Sequence, residues 1–222
     1  MPPDTYEALV ARCRAEGLDV FGGFHPSPGT GDGVPEGTGT LVLLGPFEPG
    51  FWARVTAAPE FSDARADPLD RWSARVVGVL ARELGAKALF PFSGPPWLPF
   101  FTWAVKTGRA WPSPVRILVH DRAGLMVSYR GALAFPGRIA LPAPPAAPPC
   151  AACTDQPCRA SCPAGALVPG GYDVPACHAF LDTADGNACM NAGCDVRRAC
   201  PVSRTYGRLP EQSAYHMRLF HR

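Results

Sequence analysis

CAACTDQPCRASCP, residues 150–163, sets three cysteines at positions 150, 153 and 158 and a fourth, Cys162, directly before Pro163. A second stretch, CMNAGCDVRRACP at residues 189–201, ends the same way, with Cys189, Cys194 and then Cys200 before Pro201. Cys177 lies between them, so eight of the nine cysteines fall between positions 150 and 200 and Cys13 stands apart. The chain opens MPPDTYEALVARCRAE, with charges where a secretory signal needs an apolar core, and the expected compartment is a reducing cytoplasm. An odd cysteine count there argues against a disulfide framework and for thiolates that hold an inorganic centre. Zinc is the structural alternative. A zinc ribbon usually offers two Cys-x2-Cys knuckles, and this chain has one, at Cys150 and Cys153.

Three closely spaced cysteines followed by a fourth before proline are the mark of a two-cluster ferredoxin, in which the fourth thiolate reaches across to the other cluster. The short loop presents its sulfurs from several directions, and the proline is expected to keep it from continuing as a helix. Applied here, Cys150, Cys153, Cys158 and the distant Cys200 hold one 4Fe-4S cluster, and Cys162, Cys177, Cys189 and Cys194 hold the other. His178, next to Cys177, reads as a neighbour donating a hydrogen bond rather than as a ligand. Arg159, Arg197, Arg198 and Arg204 lie among the cysteines. They read as cations that offset cluster charge, as ordinary surface residues, or as a rim that docks an acidic redox partner.

Working outward, residues 142–149 contain five prolines and mark a stiff boundary between an α/β domain at 1–142 and a cysteine domain at 143–222. The 222 residues are 47% hydrophobic and 18% charged with a formal charge of +2, enough apolar content for a core and no electrostatic footprint for nucleic acid. The long uncharged stretch from Ala88 to Val105 holds four prolines, so no membrane span is expected.

Within the first domain, Tyr6, Leu9, Val10 and Cys13 recur at helical spacing over 4–17, which makes Cys13 a buried structural thiol. Residues 18–24 and 40–44 read as strands flanking a glycine-rich surface loop over 29–39. Asp67-Pro68 starts the strongest helix, with Leu69, Trp72, Val76, Leu80 and Leu84 on one face and Gly85 at its end. Arg71, Arg75 and Arg82 take its solvated faces.

The stretch from Phe90 to Trp111 gathers seven aromatic residues among prolines, which suits either a core or the wall of a pocket for a flat cofactor, with Phe92, Trp97 and Phe101 as candidate contacts. Residues 115–120 and 126–135 flank a turn at Asp121–Gly124 and are expected to pair as a hairpin. Tyr129 and Arg130, inside it, are a candidate proton donor and a candidate anion contact.

The segments PPCAACTDQPCRASCPAGAL, CHAFL and GCDVRRACPVS resemble the iron-sulfur region of epoxyqueuosine reductases and of cobalamin-dependent reductive dehalogenases. VRILVHDRAGLMVSYRGALAFPGRIALPAPPAAPPC is similar to the strands and proline linker that precede the clusters in those enzymes, so the resemblance covers roughly residues 85 to 205. It implies a mixed-sheet, nitroreductase-like α/β (α+β) domain that holds cobalamin, followed by a small ferredoxin-like domain whose two 4Fe-4S clusters feed it electrons. The chain departs from the family at three places. Arg197 stands where the family has a cysteine, which recruits Cys189 as a ligand; Phe92 stands where it has its catalytic aspartate; and about twenty residues follow Cys200, too few for the repeats that read transfer RNA. Queuosine synthesis is therefore not expected.

These readings make the chain a cytoplasmic iron-sulfur electron-transfer protein, with three forms open. It is a reductase passing electrons to a corrinoid or flavin in the N-terminal domain, with Tyr129 supplying a proton; a ferredoxin-like carrier with no organic cofactor that serves a redox partner protein; or a non-redox module that metal merely folds.

Overall fold

The computed structural model describes residues 5–27 and 33–222. The N-terminal half carries α1 (Tyr6–Ala15), β1 (Leu18–Phe24), β2 (Thr40–Pro46), α2 (Phe51–Thr56), α3 (Pro68–Leu84), β3 (Lys87–Leu89), α4 (Phe100–Lys106), β4 (Ala110–Pro112), β5 (Leu118–His120) and β6 (Gly131–Phe135). Then follow β7 (Leu167–Val168), β8 (Gly171–Tyr172), α5 (Val174–Leu181), α6 (Asn187–Ala192), α7 (Asp195–Ala199), α8 (Pro201–Thr205) and α9 (Pro210–Phe220). The fold is mixed α/β. The glycine-rich stretch expected over 29–39, and the start of the first expected helix, lie in part outside the described residues.

Two compact units divide the chain: Met1–Arg109 with Ser128–Pro144, and Ala110–Val127 with Pro145–Arg222. One boundary between the units falls inside the proline run, between Pro144 and Pro145. Residues 110–127, however, belong with the cysteine region and not with the sequence that surrounds them.

The first unit is built on a four-stranded antiparallel sheet in the order β1-β2-β6-β3. β2 and β6 are buried along their whole length, as interior strands of apolar residues should be. Gly45 on β2 is required by close packing, since a Cβ there would meet the Phe21 ring at 2.2 Å. α3 packs on β3 and β6, with Leu69, Trp72, Val76, Leu80 and Leu84 all buried as their spacing predicts. Pro68 opens that helix, but Asp67 is left-handed at φ 51° and its carboxylate caps nothing. Arg71 is bound to Asp63 at 2.6 Å and Arg75 to Glu60, so these two cations are paired and not simply solvated.

The expected hairpin does not form. The turn exists, with His120 and Gly124 exchanging backbone hydrogen bonds at 3.0 and 2.9 Å, but the ladder goes no further. β5 pairs back with β4, Trp111 opposite Val119, while β6 lies between β2 and β3 in the other unit. Both edges of β6 are thus taken, and no edge is left for β5.

α1 starts at Thr5, whose hydroxyl accepts the Ala8 N–H at 3.1 Å, and it buries Leu9 and Cys13. Burial pushes the Cys13 thiol up to about 12, and the Asp19 carboxylate adds to the shift. The folded state therefore keeps a proton that the unfolded chain gives up near pH 9. Stability contributed by this group is intact below that pH and is lost as pH rises through the folded value, by up to about 1.4 kcal/mol per pH unit. Urea midpoints measured from about pH 8 to pH 11 should fall more steeply in the wild type than in Cys13→Ala. Parallel curves would show that Cys13 ionises normally.

Candidate metal centre

In the second unit the cysteines arrive on short elements. Cys150 and Cys158 sit in 3-10 turns, Pro149–Ala151 and Pro157–Arg159, each opened by a proline whose fixed φ suits a first helical position. Between them the chain is turned by Gln156 at φ 37°. No helix follows Cys162-Pro163, as expected of the first loop, whereas Cys200 is the residue before α8 and Pro201 begins that helix.

Cys150, Cys153, Cys158 and Cys200 line one cavity of about 190 Å³. Its remaining wall is largely apolar, with Val119, Leu125 and Val202 among the contributors. Cys158 and Cys200 also belong to the unit's hydrophobic core, with Val115, Val119, Leu125, Leu167 and Val196. This explains why residues 110–127 join the cysteine region: they supply Val115, Val119 and Leu125 to the same core. Leu125 is held at both backbone groups, its N–H donating to Ser203 Oγ at 2.9 Å and its carbonyl accepting from Arg197 Nη1 at 2.6 Å. Burial pushes the Cys150 thiol up to about 11, and Cys158, Cys200 and Cys153 each add to the shift. Cys158 is raised by the same causes. The four sulfurs are therefore near neighbours.

A second set gathers around the β7–β8 hairpin. The Leu167 N–H donates to Cys162 Sγ at 3.4 Å, Leu167 pairs with Tyr172, and the Tyr172 hydroxyl donates to Cys177. Burial raises the Cys177 pKa, and Cys194 and Cys162 raise it further. Cys189 lies near Cys194 and Asp195. Its sulfur accepts the Asp195 N–H, and burial, with Asp195 and Cys194 adding, pushes the thiol up to about 11. Gly193, at φ 91°, turns the chain from α6 into Cys194, and a Cβ there would stand 2.6 Å from Ser213 Cβ. All nine cysteines are free thiols, and among the described residues no three His, Cys, Asp or Glu side chains converge tightly enough to hold a metal ion as they stand.

His178 is not the donor that the sequence suggested. Its Nδ1 lies 2.7 Å from His221 Nδ1, its ring stacks on Phe220, and His221 Nε2 reaches Asp182 at 3.0 Å. The donor to Cys177 is Tyr172, missed because a phenol five residues before a cysteine carries no motif of its own. Of the four arginines, Arg159 and Arg204 are exposed and Arg198 pairs with Asp195, whereas Arg197 turns inward to Leu125. Burial lowers the Arg197 pKa, while Cys194 and Tyr172 act against that shift.

The other candidates lie in the first unit. Tyr129 is 9% exposed, its ring edge-on to Phe21 at 6.1 Å and tilted against Phe100 at 6.4 Å. Arg130 reaches Asp70 at 3.4 Å. Phe92 stacks on Phe90 at 5.1 Å, while Trp97 and Phe101 are 65% and 52% exposed. The aromatic stretch thus divides, Phe100 and Trp103 entering the core and Trp97 and Phe101 facing outward. No helix of the described residues is long and apolar enough to cross a membrane. No family model matches the chain, and no curated protein or solved structure matches it either.

Proposed function

We propose that this chain is an iron-sulfur electron-transfer protein, with one 4Fe-4S cluster held by Cys150, Cys153, Cys158 and Cys200, and a second held around Cys162, Cys177 and Cys194, with Cys189 the nearest further thiol. The observation that carries the proposal is the cavity that Cys200 shares with three cysteines far from it in sequence. Its volume is well above the 10–15 Å³ or so that one water needs, so it suits a body larger than a single ion. When bound, such clusters supply one-electron transfer.

The chain's own contribution is electrostatic. Neutral thiols must lose protons on loading, so loading weakens as pH falls. The Leu167 N–H and the Tyr172 O–H donate to sulfur, and Arg197 brings a positive charge; all three favour the more reduced state.

On this reading the second unit is ferredoxin-like and the first a nitroreductase-like partner domain, in a protein of the reducing cytoplasm that takes electrons from a redox partner protein. The reductase form passes them to a corrinoid or flavin, with Phe92, Trp97, Phe101 and Arg130 around it and Tyr129 as proton donor. The carrier form has support of its own in Trp97 and Phe101, which present ring surface outward as a docking face would.

Anaerobic purification followed by iron, sulfide, zinc and cobalt analysis, with visible spectra before and after dithionite, tests the proposal. About eight irons and eight sulfides are expected. Bound corrinoid or flavin would select the reductase, and its absence the carrier. Zinc without sulfide would sink the redox reading.

A further inference from the structure

Ser113 lines the same cavity as Cys150, Cys153, Cys158 and Cys200. β4 ends at Pro112, and Ser113 begins the turn into β5. That turn holds it at both backbone groups: the Ser113 N–H donates to the Ile117 carbonyl at 2.9 Å, and the Ser113 carbonyl accepts the Arg116 N–H at 2.9 Å. Its hydroxyl is what remains.

Ser113 is 7% exposed, and its Oγ is buried with no hydrogen-bond partner among the described residues. Gln156, the other polar residue of the cavity wall that is not a cysteine, already accepts from Arg159 Nη1 at 3.2 Å. A hydroxyl withdrawn from water and left unpaired is costly, and folded proteins rarely keep one. The side chains of the wall offer it aliphatic carbon and thiol sulfur, and sulfur is a weak acceptor until it carries charge.

Building on the iron-sulfur reading, we propose that the Ser113 hydroxyl donates a hydrogen bond to a sulfur of the cluster held by Cys150, Cys153, Cys158 and Cys200, and that this bond raises the reduction potential of that cluster. An added electron increases the negative charge on the sulfurs, so a fixed donor stabilises the reduced state more than the oxidised one. Because the turn anchors Ser113 on both sides, the donor is in place before the electron arrives.

The test is a potentiometric titration followed by EPR on the full chain, purified anaerobically, with iron and sulfide measured on the same samples. Wild type is compared with Ser113→Ala, Ser113→Val and Ser113→Thr; valine and threonine match in volume and differ by the hydroxyl. In Ser113→Ala and Ser113→Val the equilibrium constant for reducing one cluster should fall about tenfold, which is ~59 mV for a one-electron couple. The signal that moves should be the one missing from Cys200→Ser. Ser113→Thr should stay close to the wild type, and the other cluster should not move in any variant. A wild-type potential in Ser113→Ala, equal shifts in Ser113→Val and Ser113→Thr, or a shift in the other cluster would overturn the proposal. Loss of the cluster from Ser113→Val and Ser113→Thr alike would also overturn it, by making Ser113 a packing residue. A wild type without iron and sulfide would instead remove the reading beneath it.

Discussion

Cys200→Ser is expected to purify with about four irons and four sulfides in place of about eight, the loss of one cluster out of two. Cys158→Ser should lose the same cluster, leaving the same residual EPR spectrum, although the two positions are far apart in sequence. Cys194→Ser should lose the other cluster and leave a different spectrum. The reason is geometric: Cys158 and Cys200 line one cavity with Cys150 and Cys153, whereas Cys194 packs on the same hydrophobic core without lining that cavity. A serine hydroxyl buried at position 200 without a partner costs about 1–3 kcal/mol in itself, so Cys200→Ala, which brings no polar atom, serves as the second variant. Cys13→Ser is the control, since Cys13 is buried in the first unit. Full iron and sulfide in both position-200 variants would refute the ligand assignment and the crossing of the two cysteine groups.

Trp72→Ala should cost about 3–5 kcal/mol in the first unit, the range for removing a large aromatic from a core. Trp72 is 2% exposed and meets the Phe51 ring edge-on at 5.4 Å with an interplanar angle of 87°. The substitution removes both that aromatic contact and the widest side chain of the α3 stripe, and the surrounding sheet and helices can close only part of the void. Set against the roughly 5–15 kcal/mol that holds a typical domain together, such a loss brings the unit close to unfolding at ambient temperature. Urea titration followed by circular dichroism reads the shift in midpoint. Leu84, 8% exposed at the end of the same stripe, should cost less on truncation than Trp72. A Trp72→Ala midpoint within experimental error of the wild type would show that α3 is not the wall of this core.

Much of this was legible because the signals are local. The α3 stripe recurs every three or four residues and Gly85 ends the helix in the left-handed conformation at φ 68°. β1 spans Leu18–Phe24, as its apolar run suggested. The two cysteine groups announce themselves by spacing alone, and in the structure Cys150, Cys153, Cys158 and Cys200 line one cavity. Failures occurred where a partner had to be chosen at long range. A turn at Asp121–Gly124 between two β-rich runs looks like a hairpin from within its own window. Nothing in that window reveals that β2 and β3 hold both edges of β6.

The sequence by itself determined the helices with strong periodicity, the break in the proline run and the set of eight cysteines, because each depends on neighbours within a few residues. Tertiary structure alone decided that residues 110–127 serve the cysteine unit, through the apolar contacts of Val115, Val119 and Leu125. It also separated Arg197 from its three neighbouring arginines by turning it inward to the Leu125 carbonyl, and it made Tyr172, not His178, the partner of Cys177. Those choices depend on which surfaces meet when the chain closes on itself, and burial and charge can act on a side chain only once its neighbours are in place.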